Sequence, residues 1–283
     1  MNVRSAGSID LHLHTTASDG RCTPRELVER AARAGVSVMS VTDHDTIAAV
    51  SEVRAAAGVY GVRTVSGIEI TAVDDRRDIH VLGYFLDPDD EALGLFLLAQ
   101  RAARIARVEA IGARLAALGV PIAVEALVKE TSALSGRSIG RPQVARAMVA
   151  AGHVTNVQDA FDRWLAHGRP GFVPREGASS ETVIGVIHSA GGIASLAHPG
   201  KLGLEPRLKA LAHAGLDAVE VFHPDHDASL VERYRGLARE LDLLMTGGSD
   251  FHGDPAHGRE PGGVSLPAAE FQRLCDARPH AVS

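Results

Sequence analysis

Two histidines one residue apart, His12 and His14, begin a series of metal-ligating side chains that runs the length of the chain. At the two-residue period of a β-strand both imidazoles project to one side, with Cα atoms roughly 7 Å apart, which suits chelation of a single cation. Asp43-His44-Asp45, Glu69, His80, His198, Glu220 with His223 and His226, and Asp250 with His252 follow at intervals. Imidazole and carboxylate donors without a thiolate favour manganese, iron, zinc or magnesium over a structural cysteine-type zinc. So many donors exceed what one tetrahedral ion uses. Two to three clustered divalent cations are expected, manganese foremost, and ions roughly 3.5 to 4 Å apart both activate a water and neutralise a phosphoryl oxygen. On its own, a His-x-His pair reads as two satisfied strand histidines. Recurrence is different, because burying this many ionisable groups without cations or partners is very costly. His153, His167, His188, His213, His257 and His280 fall on helices, loops or the tail and are read as structural, and His223 stays open.

The elements that must position these residues follow from the apolar pattern. Short β-branched runs at 9–14, 36–41, 62–70 and 79–85 alternate with helical patterns, the sign of βα units and a parallel sheet. Thr23-Pro24-Arg25-Glu26 supplies an N-cap, a first-turn proline and a capping-box glutamate, and Gly35 ends that helix. From Asp90 the pattern turns continuously helical, and strand signals return only at 193–197, 218–222 and 243–246. The ligating residues then fall where strands end. In a parallel βα barrel those ends open on one face, where active sites are assembled from residues remote in sequence. Eight of the fourteen histidines would meet there. The reading is a discontinuous barrel, 1–90 and 177–283, interrupted by a helical insertion at 91–176, with 253–283 as a closing loop and tail.

The 283 residues are 45% hydrophobic with a mean hydropathy of +0.03, which allows a sizeable core and excludes a disordered chain. No apolar run nears ~18 residues, and the N-terminus lacks the apolar stretch of a secretory signal, so a soluble cytoplasmic protein is expected. Cys22 and Cys275 have no C-x-x-C spacing and support neither a disulfide framework nor a zinc knuckle. A net charge of -6 argues against a nucleic-acid-coating protein, yet residues 91–176 carry +4 and the remainder -10. An acidic body repels phosphate except at its cations, so substrate charge is expected to land on the basic insertion. Arg141, opening a helix after Ser138-Ile139-Gly140, could share a phosphate with the N-terminal amides. Arg169 and Lys201 are further candidates, whereas Arg101, Arg104, Arg107 and Arg114 read as solvating a long helix. Aromatic content is only 4%, with Phe172, Phe222, Phe251 and Trp164 nearest the site loops.

The motifs Ile9-Asp10-Leu11-His12-Leu13-His14, Ser18-Asp19-Gly20, Val41-Thr42-Asp43-His44-Asp45, Gly67-Ile68-Glu69, Ile79-His80-Val81-Leu82-Gly83, Ala197-His198-Pro199-Gly200 and Gly248-Ser249-Asp250-Phe251-His252 resemble those of the PHP (polymerase and histidinol phosphatase) metal-dependent phosphoesterases. Within that superfamily the insertion and the Ser-Asp-Gly turn are similar to the bacterial nucleoside 3′,5′-bisphosphate phosphatases, whose relatives include 5′ to 3′ exoribonucleases acting on short RNA. The resemblance implies an α/β fold, a distorted (βα)7 barrel with a substrate-capping helical insertion. It implies one cation on His12, His14, Glu69 and Asp250, a second on Glu69, His80 and His198, and a third on Asp19, His44 and His252. Asp19 departs from the histidine of histidinol phosphatase-like members. Arg141, Arg169 and His226 would contact a second phosphate, and Asp10, Asp43 and Asp45 would orient imidazoles from behind.

The expected reaction is hydrolysis of the 3′-phosphate of a nucleoside 3′,5′-bisphosphate, 3′-phosphoadenosine 5′-phosphate giving AMP and phosphate. A hydroxide bridging two cations would attack in line, with Glu69 and Asp250 central to catalysis. The leaving alkoxide would take its proton from a metal-bound water, from His226 or from neither. No Gly-x-Ser-x-Gly, Walker loop or Cys/His pair offers a side-chain nucleophile. Rival readings are a 5′ to 3′ exoribonuclease on short RNA, a phosphatase of another small monoester such as histidinol phosphate, and an inactive metal-binding module. No membrane and no stable nucleic-acid complex are expected as partners.

Overall fold

The computed structural model describes residues 7–133, 136–203, 205–255 and 258–278, apart from the side chains of Ser132, Lys201 and Leu202; His257 and His280 lie outside them. In chain order the first elements are β1 (Ser8–Leu13), α1 (Pro24–Arg33), β2 (Val36–Val41), α2 (Val50–Tyr60), β3 (Arg63–Asp74) and β4 (Arg77–Tyr84). A helical stretch follows: α3 (Glu91–Ala117), α4 (Val124–Ser132), α5 (Arg141–Ala150), α6 (Val157–Ala160) running into a π-helical turn (Phe161–Leu165), and α7 (Ser180–Ser189). The chain closes with β5 (Ile193–Leu196), α8 (Pro199–Leu202), α9 (Glu205–His213), β6 (Ala218–Phe222), α10 (Ala228–Glu240), β7 (Leu244–Gly247) and α11 (Ala268–Ala277). Thr23 caps α1 as its sequence requires, with the reciprocal Glu26 contact present.

The seven strands pair in sequence order, β1 to β7. A parallel bridge between Leu13 and Phe251, and the His14 amide donating to the Phe251 carbonyl at 3.0 Å, join the end of β1 to the residues after β7. This is the expected distorted barrel. One strand departs from the expected parallel arrangement, since β4 runs antiparallel to both β3 and β5. The cause is the length of the β3–β4 connection. Asp74 pairs with Arg77, leaving Asp75 and Arg76 as a two-residue turn with φ 49° and 62°, and parallel strands need a crossover of a dozen residues or more.

Alternation along the strands decides which residues meet the helices and which meet the barrel interior. Ile68, Ile70 and Ala72 of β3 pack with Leu93 and Leu97 of α3 and with Val183, Ile184 and Ile187 of α7. Glu69 and Thr71, of opposite parity, are equally buried. Inside the barrel, residues from the starts of the parallel strands (Ile9, Val38, Val65, Ile193, Ala218) cluster with Phe271 and Leu274 of α11. The C-terminal region is therefore not only loop and tail. α11 plugs the barrel floor, where each fully buried large apolar side chain contributes about 1.5 to 3 kcal/mol.

The helix α3 has 27 residues and so is roughly 40 Å long. Its first turns, Leu93 and Leu97, belong to the barrel core. Its last turns, Val108, Ile111 and Leu115, belong to a separate core with Ile139, Val144, Met148 and Leu165. The turns between cross the mouth of the barrel carrying Gln100, Arg104 and Arg107.

Candidate metal centre and arginine chamber

The strands deliver nine donors to one place. His12 sits in β1 and His14 directly after it, Asp19 in the following loop, His44 after β2, Glu69 in β3, His80 in β4, His198 after β5, and Asp250 and His252 after β7. His80 is near the start of its strand because β4 is reversed, so its first residues are the ones at the mouth. Close packing fixes the loop that carries Asp19, since a Cβ on Gly20 would lie 2.4 Å from the His14 carbonyl oxygen. His198 and Asp250 have positive φ, 28° and 48°, a sparsely allowed region for residues with a side chain and one that clusters at functional sites.

Glu69 is the centre of the group. Its Oε2 lies 3.3 Å from His12 Nε2, 3.2 Å from His14 Nε2 and 3.2 Å from His44 Nδ1, and its Oε1 lies 2.8 Å from His80 Nδ1 and 3.1 Å from His198 Nε2. Asp250 Oδ1 is 3.4 to 3.6 Å from nitrogens of His12, His14 and His252. Asp19 faces His252 at 3.3 Å and His44 at 3.6 Å. Among the described residues, four overlapping sets of three or four donors, with ligand atoms within 4.8 Å of one another, comprise these nine residues and no others. Both ring nitrogens of His14, with Nδ1 of His44 and of His80, are buried and make no hydrogen bond among the described residues despite the carboxylates beside them. His12 and His198 reach Glu69 in hydrogen-bond geometry, but these His14, His44 and His80 nitrogens do not, and such a surplus of donor atoms around one carboxylate suits divalent cations.

The electrostatics agree. Burial works against its charge, yet His44, His80 and His12 hold the Glu69 carboxyl well below the ordinary range. Burial likewise opposes protonation of His14, but Asp250 and Glu69 push it up to about 10, and Glu220 and Glu69 raise His12 well above its ordinary value. Burial brings His44 down to about 3. The acids thus draw positive charge into the cluster as protons where cations would bring it.

Support comes from residues whose role sequence left open or misread. Glu220 accepts from His12 Nδ1 at 2.8 Å and so directs Nε2 at the cluster, and His223 is buried with Nε2 3.2 Å from Asp250 Oδ2. Among the described residues, Asp10, Asp43 and Asp45 make no hydrogen bond to an imidazole. Asp10 accepts from the amides of Ser249, Gly262 and His12, Asp43 from Thr15 and Ser18, and Asp45 from Arg104, Arg175 and the Thr71 amide, so they tie loops rather than rings. His226 is also corrected. Its Nδ1–H donates to the Val221 carbonyl at 2.9 Å and its Nε2 accepts from the Gly200 amide at 3.2 Å, so both ring nitrogens are engaged by backbone groups.

A cleft of about 690 Å³ opens over the cluster, lined also by Arg21, Arg141, Arg146, Phe161 and Arg259. Behind it lies a chamber of about 110 Å³ into which Arg104, Arg107, Arg141 and Arg175 converge. Asp45 pairs with Arg104 and Arg175, and Asp78 with Arg107 at 2.9 Å and Arg141 at 3.1 Å. Asp19, also at the chamber wall, is turned to its histidines. Four guanidiniums face Asp45, Asp78 and, shared with its histidines, Asp19, which leaves positive charge in excess. Arg107 Nη2 and Arg175 Nε are buried with no hydrogen-bond partner among the described residues. Burial, helped by its arginine neighbours, lowers Arg141 to about 10.

Arg141 is therefore where sequence placed it, at the first turn of α5 with Gly140 as cap. Arg169 is not; it is exposed in the loop after the π-helical turn and lines neither space. The Lys201 side chain lies outside the described residues. Arg104 and Arg107 do not solvate a helix, and Phe161, not Phe172, Phe222, Phe251 or Trp164, is the ring in the cleft wall. A signal for Arg104 was present. Leu93, Leu97, Gln100, Arg104, Ile111 and Leu115 continue one stripe at helical spacing, so an arginine occupies the buried face.

A model of the PHP domain matches residues 10–170. The chain belongs to the PHP family. This PHP protein is 36% identical over 251 residues to a 5′-3′ exoribonuclease of Haemophilus influenzae, covering 86% of this chain and 89% of that one. It is 32% identical over 260 residues to a 3′,5′-nucleoside bisphosphate phosphatase of Chromobacterium violaceum, covering 90% of each. Its fold superposes with a TM-score of 0.87 on a Bifidobacterium adolescentis protein provisionally assigned as a metal-dependent phosphoesterase, at 32% identity and 98% and 99% coverage. The chain is a metal-dependent phosphoesterase of the PHP type. No helix among the described residues is long and apolar enough to cross a membrane.

Proposed function

We propose that this PHP protein hydrolyses the 3′-phosphate of nucleoside 3′,5′-bisphosphates. The observation that carries this reading is the pairing of two anion-seeking spaces in one cleft: a cluster of cation ligands and, adjoining it, an arginine chamber with uncompensated charge. A monophosphate uses only the first. His12, His14, Asp19, His44, Glu69, His80, His198, Asp250 and His252 would hold two to three divalent cations, manganese foremost, which when bound supply an activated water and screen charge on the phosphoryl oxygens. Arg107, Arg141 and Arg175 would hold the 5′-phosphate, their forked donors already oriented by Asp78 and Asp45. Phe161 offers the base a face to stack on. The residues 91–176 act, in this reading, as the insertion that caps the substrate, and a cytoplasmic nucleotide pool supplies it.

Turnover of 3′-phosphoadenosine 5′-phosphate, AMP, a short 5′-phosphorylated RNA and histidinol phosphate, each with manganese and with magnesium, tests this. The bisphosphate should show the highest kcat/KM. Activity confined to histidinol phosphate, or no preference for the bisphosphate over AMP, overturns it. A second reading, a 5′ to 3′ exoribonuclease, is favoured by the 36% identity to the Haemophilus influenzae enzyme and would show as RNA leading the same panel.

A further inference from the structure

Asp250 presents its two oxygens to different neighbours. Oδ1 faces the imidazoles of the cluster. Oδ2 accepts from Arg259 Nη1 at 2.8 Å and lies 3.2 Å from His223 Nε2. The Asp225 amide donates to His223 Nδ1 at 3.1 Å, which leaves the proton of the neutral ring on Nε2 and makes it a donor to Asp250. Arg259 completes the circuit, because its Nη2 donates to Asp225 Oδ1 at 2.7 Å. Asp250, Arg259, Asp225 and His223 thus form a closed ring around one carboxylate oxygen. Arg259 stands in the segment after β7 that sequence read as tail, and the same segment is anchored by the Gly262 amide on Asp10 and by Glu260 on Arg30. The residue so held has a left-handed backbone, which the surrounding contacts must maintain.

We propose that Arg259 and Asp225 clamp Asp250 so that only Oδ1 is offered to cations, making Arg259 a positioning residue for metal loading. An unclamped carboxylate could turn to grip one ion with both oxygens and starve its neighbour. The fork of a guanidinium is what spans the two aspartates, and an ammonium cannot reproduce it. The inference concerns retention of cations and holds whichever phosphoester is cleaved.

The test measures manganese bound per chain against free manganese for the wild type, Arg259→Gln, Arg259→Lys, Asp225→Asn and the Arg259→Gln/Asp225→Asn double variant. Arg259→Gln should weaken at least one ion by about 10- to 100-fold, the range for outer-sphere partners of metal ligands. Asp225→Asn should lose affinity in the same direction by less, the double variant no more than Arg259→Gln alone, and Arg259→Lys should recover little. kcat should fall more than KM rises at limiting manganese. Unchanged manganese binding in Arg259→Gln, with a rise in substrate KM only, overturns the clamp in favour of direct contact with substrate. Loss in Arg259→Gln with none in Asp225→Asn overturns the ring as well. Should Arg259→Gln fail to fold, the more exposed Asp225→Asn decides alone.

Discussion

The two anion-seeking parts of this molecule were built differently. At the barrel mouth, every strand but β6 contributes one or more imidazoles or carboxylates, and the nine donors come from segments spread between positions 12 and 252. In the adjoining chamber, four arginines come from α3, α5 and the segment before α7, all within 104 to 175. The first arrangement needs a metal to make sense of its charge, and the second needs an anion. The difference teaches that a cation site made of scarce residue types announces itself, whereas an anion site made of a common one does not.

The comparison breaks most visibly at Glu69. Its two oxygens face five imidazoles, so Glu69→Gln should abolish turnover, by more than the ~10- to 100-fold typical of outer-sphere partners, with the far-ultraviolet spectrum kept. Asp250→Asn should behave alike. Retained turnover in either variant would place the chemistry elsewhere.

Next in size is the chamber. Arg107→Gln should cost kcat/KM on a nucleoside bisphosphate about 10- to 100-fold more than on AMP, as expected for one hydrogen bond of about 1.5 to 3 kcal/mol to a charged group. Equal losses on both substrates would mean that the arginines serve only the fold.

A third prediction concerns pH. His14 is held at about 10 against an ordinary 6.5, so its proton stabilises the metal-free fold fully below pH 6.5 and that contribution disappears as pH rises towards 10. Cations need the neutral ring, so binding releases protons and tightens as pH rises. The increment in Tm between manganese-loaded and chelator-treated protein should therefore grow from pH 6.5 to 9. An increment that shrinks over that range contradicts the cluster. The smallest effect belongs to Arg169→Ala, expected to stay within about 0.5 kcal/mol in stability and about twofold in kcat/KM, because the side chain is exposed outside both spaces.

Legibility in the sequence follows the same division. All seven strands could be placed from their apolar runs, and eight of the nine donors from their positions on or just after those runs, because a strand end is a short target and histidine is a rare residue. Asp19, in the loop between β1 and α1, was legible only through the resemblance of its Ser-Asp-Gly turn. The direction of β4 was missed although the two-residue turn at Asp75-Arg76 excluded a crossover. Residues 268–277 were read as tail because Phe271 and Leu274 alone give a weak stripe, and their burial depends on a barrel floor formed by distant strands. His226 misled for a physical reason. An imidazole next to a site satisfies backbone groups as readily as it serves a substrate, and the Val221 and Gly200 partners become visible only once the loops are folded. Arg169 misled because a cation in a Gly-Pro loop looks available and gives no hint of which way the loop faces.

The measurement closest to the central claim is anomalous scattering at the manganese edge from crystals grown with manganese. Two or three peaks should lie among His12, His14, Asp19, His44, Glu69, His80, His198, Asp250 and His252, with both Glu69 oxygens in contact with metal. Manganese bound away from Glu69, or a single ion touching only one of the four donor sets, would contradict the account.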